Sequence, residues 1–113
     1  MKKLFFTFLI LLFITSLVYA HSPNRIDADY DKETQTLFVV VKHGVSNPEN
    51  HYIEKISIEA GDNNFLFEEF SRQSTNEQEV FKKEIPNLVA GDKILITANC
   101  VLYGKKIKEI IIE

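Results

Sequence analysis

Apolar side chains recur at alternate positions in short runs along most of this chain, and clusters of turn-forming residues separate the runs. Leu37, Val39 and Val41 share one face with His43, and Ile94, Ile96 and Ala98 share one with Cys100. Ile56, Ile58 and Ala60 alternate with Lys55, Ser57 and Glu59. A period of two marks a strand with one buried face. The pattern predicts strands over Ile26–Tyr30, Thr36–His43, Tyr52–Ala60, Asn64–Ser71, Glu79–Ile85, Lys93–Leu102 and Lys105–Ile112. Asp31–Gln35, Gly61–Asn63, Pro86–Asp92 and Tyr103-Gly104 supply the turns between them. No stretch carries a helical period after the N-terminal segment, and no repeat is present.

Short antiparallel strands at this spacing predict an all-β fold, an immunoglobulin-like antiparallel β-sandwich of about seven strands. Pairing Tyr30 with Thr36 across the first turn would put Pro23 opposite His43. The Glu68-Glu69 and Lys82-Lys83 pairs read as solvated strand faces, and 72–78 as a polar loop.

The first 20 residues follow a different rule. Met1-Lys2-Lys3 is a basic head, Leu4 to Val18 is apolar apart from Thr7, Thr15 and Ser16, and Val18-Tyr19-Ala20 supplies small residues at the −3 and −1 positions. This is the pattern of a signal peptide over residues 1–20, with a domain over 21–113 that begins at His21 after cleavage. The expected location is secreted or periplasmic, with no membrane association after cleavage. Loss of Lys2 and Lys3 takes the formal charge from −3 to −5. An acidic domain without a basic stripe is unsuited to nucleic acid. No glycine-rich phosphate loop runs from a strand into a helix, and no nucleophilic serine stands out.

Candidate chemistry lies in three histidines and one cysteine. A single cysteine in an exported chain has no internal disulfide partner, so its thiol is buried, shared between molecules or bound to something. Strand direction brings the four residues together. His21 precedes the first strand, His43 ends the second, His51 precedes the third, and Cys100 lies near the end of the sixth. In an alternating sandwich those ends share one pole, and the 72–78 loop joins them there. Imidazoles and a thiolate suit iron, copper or zinc and disfavour calcium or magnesium. Each must be deprotonated to bind, so affinity should fall in acid.

The stretch His43-Gly-Val-Ser-Asn-Pro-Glu-Asn-His51-Tyr-Ile, followed by Gly91-Asp92 and a late Cys100, resembles the iron-binding domain of desulfoferrodoxin and superoxide reductase. The resemblance follows strand order through most of residues 21–113, and its motifs are concentrated at 43–53 and 100–104. It implies a sandwich carrying ferrous iron on four equatorial histidines and an axial cysteine thiolate, with a sixth position for superoxide. On that likeness, His43 matches the family's His-Pro histidine, His51 its His-Tyr-Ile histidine and Cys100 the axial ligand, and His21 replaces the early histidine. The sequence departs from the pattern in four places. The 43–51 spacing is two residues longer, Gly44 replaces the proline, Tyr103 stands where the fourth histidine would be, and Ala20 precedes His21 instead of a lysine. Tyr103 is then a candidate hydrogen-bond donor beside the ligands.

Three functions follow. The chain is an iron protein resembling superoxide reductase, with an electron donor or partner protein; or a copper protein using the imidazole and amine of an N-terminal His21. Alternatively it is a non-catalytic binding module, since His43…His51-Tyr-Ile also resembles the small sandwich subunit that partners the sulfur carrier of thiosulfate oxidation.

Overall fold

The computed structural model describes residues 22–61 and 64–113. The expected signal peptide and His21 lie outside these residues. Among them seven strands form: β1 Arg25–Asp31, β2 Thr36–Lys42, β3 Ile53–Ala60, β4 Asn64–Glu69, β5 Gln78–Glu84, β6 Lys93–Cys100 and β7 Lys105–Ile111. All pairings are antiparallel, in a three-stranded sheet ordered β1-β2-β5 and a four-stranded sheet ordered β4-β3-β6-β7. The expected all-β sandwich is what the chain forms.

The two sheets bury the alternating apolar positions between them. Leu37, Val39 and Val41 of β2 meet Ile56, Ile58, Ile94 and Ile96 of β3 and β6 in one core, all with no solvent exposure. Each such side chain, fully buried, contributes about 1.5–3 kcal/mol relative to an exposed one. Opposed residues of an antiparallel pair share a face, so register and core are one constraint. In the β3–β6 ladder Ile58 opposes Ile96 and Ile56 opposes Ala98, both pairs inward.

The first hairpin corrects the expected register by one residue. Tyr30 opposes Leu37, and Asp31 opposes Thr36. The Tyr30–Thr36 pairing would have set buried Ile26 opposite Val40, on the outer face. The observed register sets Ile26 opposite Val41 and Ala28 opposite Val39, inward with inward. The turn accommodates this because the Asp31 side chain accepts from the Glu33 amide at 2.9 Å and Gln35 takes a left-handed φ of 57°. As a result Asn24, not Pro23, meets the end of β2, its amide donating to the Lys42 carbonyl at 2.7 Å.

A β-bulge in β3 matters most for the site. Ile53 opposes Cys100, yet Lys55 opposes Asn99, so Glu54 is an extra residue in β3. The insertion shifts parity. Ile53 is buried together with Ile56 and Ile58, although an uninterrupted alternation would put it on the outer face with Lys55.

Ile58→Ala should lower unfolding free energy by about 2–5 kcal/mol, with the neighbouring outward Glu59→Ala within about 0.5 kcal/mol of the parent. Urea denaturation midpoints of the two variants measure the contrast.

Candidate metal centre

His43 follows the last residue of β2. Its amide donates to the Glu77 carbonyl at 2.9 Å and Val45 donates to Asn76 at 2.7 Å, which carries the β2–β5 pairing past the strand. The side chain inherits the inward parity of Leu37, Val39 and Val41 and is 2 % exposed. Asn47 to His51 form a compact turn. The Asn47 side chain accepts from the Glu49 amide at 3.0 Å, and its carbonyl accepts from the His51 amide at 3.0 Å. An asparagine side chain competes well for local backbone donors, which explains its place at the head of this turn.

Beyond the turn, Val101 donates to the Tyr52 carbonyl at 3.0 Å and Ile53 opposes Cys100. His51 has the parity of Ile53, so the bulge directs it toward the core side. Cys100 ends β6 on the same side as Ala98 and is 5 % exposed.

The two imidazoles and the thiol therefore come together. Their ligating atoms all lie within 4.8 Å of one another, and the histidine rings meet edge to face with centroids 4.7 Å apart. Donors at about 2.1 Å (nitrogen) and 2.3 Å (sulfur) from a tetrahedral ion would stand roughly 3.6 Å apart. The observed cluster would hold such an ion after its side chains draw in by up to about 1 Å. Two nitrogens and one sulfur are the donors of iron, copper and zinc sites.

Gln73 was not singled out in the sequence. Lying in the polar loop before β5, it is 1 % exposed. Its Oε1 lies 2.8 Å from His43 Nδ1, and its Nε2 donates to the carbonyls of His43 at 2.7 Å and Thr75 at 2.9 Å. The loop thus reaches the pole expected of it. No periodicity distinguishes a buried glutamine within a polar loop, so composition alone gave no signal.

The other expected residues divide. His21 is outside the described residues, but Ser22 packs against Gly104, in the turn that follows Cys100. Cys100 donates its amide to the Gly104 carbonyl at 3.0 Å. Gly104 has a φ of 87°, and a Cβ there would collide with the Ser22 side chain and come within 3.2 Å of its Cα. The segment leading into β1 therefore packs on the turn that follows Cys100. Tyr103 stands in the same turn, 56 % exposed.

Among solved structures the chain is similar to a superoxide reductase (neelaredoxin) from Ignicoccus hospitalis, with a TM-score of 0.51 and 22% identity over 88% of this chain and 86% of that one. The likeness is one of fold. No family model matches the sequence, and no curated protein matches it. The β-sandwich is thus similar in fold to that structure and carries a His–His–Cys cluster at one pole.

Gly104→Ala should destabilise the protein by more than Gly91→Ala. Both glycines have positive φ, which costs alanine about 1–2 kcal/mol, but only Gly104 has Ser22 against it. Thermal denaturation of the pair isolates the Ser22 contact.

Proposed function

We propose that this is an exported mononuclear metal protein, with iron held by His43, His51 and Cys100 and with His21 completing the donor set. The convergence of two imidazoles and a thiol within 4.8 Å, in a sandwich of superoxide-reductase type, carries the reading. Burial of Cys100 and His43 excludes bulk water from the sulfur side, where a thiolate would otherwise be hydrated and open to oxidation. The Ser22–Gly104 contact supports His21, since one peptide link joins it to a residue packed on the turn that follows Cys100.

Iron so bound supplies one-electron redox chemistry, with thiolate donation and hydrogen bonding setting its potential. A small oxidant of the superoxide class is the substrate this supports. Its reduction to hydrogen peroxide consumes one electron and two protons, which makes an external electron donor the implied partner. With Tyr103 in place of a fourth histidine, the protein supplies fewer imidazoles than the family pattern. More of the coordination sphere is then open to water or substrate.

Copper is the second reading, favoured by the same Ser22 placement. If cleavage follows Ala20, the His21 amine and imidazole form a chelate, and copper outcompetes other divalent ions for nitrogen donors. The non-catalytic partner-binding module gives the cluster no role.

Protein matured from its full precursor should carry about one metal ion per chain and a visible thiolate charge-transfer band. Cys100→Ala should abolish the band, and His43→Ala or His51→Ala should reduce the metal content. An extra residue ahead of His21 should abolish copper binding by the chelate while leaving an iron site built on His43, His51 and Cys100. Metal analysis with visible spectroscopy reads each outcome, and a metal-free, colourless wild type after iron or copper reconstitution contradicts the proposal.

A further inference from the structure

Gln73 connects the two histidine-bearing segments. Its backbone amide donates to the Pro48 carbonyl at 3.0 Å, inside the turn that delivers His51. Its side chain bonds both the carbonyl and the ring of His43. The orientation of that side chain follows from its partners. The carbonyls of His43 and Thr75 can only accept, so the amide nitrogen must face them. The amide oxygen then faces His43 Nδ1 and can only accept as well. Nδ1 must therefore bear the proton, and the lone pair is left on Nε2.

We infer that Gln73 is a positioning residue of the centre, fixing His43 as an Nε2 ligand while its backbone holds the turn that carries His51. The inference rests on the metal-centre reading for its purpose, though not for its geometry. A glutamine that only anchored the loop would need its two bonds to carbonyls and no bond to the ring. The ring bond is the distinguishing feature. A metal-binding histidine is commonly held through its other ring nitrogen, and loss of such a partner lowers metal affinity about 10–100-fold. A neutral amide in this role orients the ring without adding a charge beside it.

Two variants separate positioning from anchoring. Gln73→Met keeps side-chain length and loses all three bonds. Gln73→Glu keeps an acceptor for the Nδ1 proton but loses both donations to carbonyls. The tautomer of His43 is read in the metal-free protein from two-bond proton–nitrogen correlation spectra of the imidazole, and affinity from titration with cobalt(II) alone. The wild type should show Nδ1–H. Gln73→Glu should keep that tautomer and bind cobalt within a few-fold of wild type, even if its melting temperature falls. Gln73→Met should lose the fixed tautomer and about 10–100-fold in affinity. Should Gln73→Met fail to fold, the wild-type and Gln73→Glu results still decide the matter. A wild-type proton on Nε2, a Gln73→Met protein unchanged in both readouts, or a Gln73→Glu protein with its fixed tautomer lost overturns the inference. A wild type with the Nδ1–H tautomer that takes up no cobalt overturns the metal-centre reading and this role with it. The intact tautomer tells that failure from the others.

Discussion

One extra residue in a strand sets the geometry of the whole site. Glu54 interrupts the β3–β6 ladder between the Ile53–Cys100 and Lys55–Asn99 pairs, and the parity of β3 reverses across it. On one side of the bulge, Ile56 and Ile58 face the core; on the other, Ile53 does, and His51 follows its phase. Cys100, directly opposite Ile53, already faced inward. Without the insertion His51 would share the outer face with Lys55 and Ser57, away from the sulfur. Bulges re-aim side chains in this way beside functional sites.

The remaining contacts build on that arrangement from the opposite sheet. His43 arrives at the end of β2 with the parity of a core residue, and the β2–β5 pairing is prolonged through Val45, so the ring is held at the boundary between sheets. The loop before β5 then folds under both histidines through Gln73. Buried polar groups are tolerated because they bond one another: the amide of Gln73 meets three partners with three short contacts. The resulting pole combines a dry sulfur with imidazoles held by the ends of β2 and β3, a rigid setting for an ion.

Much of this was legible in the sequence because strand periodicity is local. Each of the seven strands was placed within about two residues of its observed ends, which is the usual uncertainty of such boundaries. The common pole of His43, His51 and Cys100 followed from counting strand reversals, an argument that survives small errors in boundaries. Register was harder. The first hairpin differs from the expected register by one residue because Asp31 belongs to β1 and pairs with Thr36 instead of opening the turn. The apolar matches of Ile26 with Val41 and Ala28 with Val39 could have corrected it. The bulge left a trace in Ile53, an apolar residue out of phase with Ile56 and Ile58. Gln73 left none, since its burial depends on the stretch from His43 to Pro48, which is distant in sequence.

The account stands on one coordination sphere that joins a sulfur to nitrogens from two sheets. X-ray absorption at the zinc edge, on protein loaded with one equivalent of zinc, measures that sphere directly. The prediction is one sulfur at about 2.3 Å and at least two imidazole nitrogens at about 2.0–2.1 Å. A shell of nitrogen and oxygen alone, with no sulfur scatterer, would contradict it.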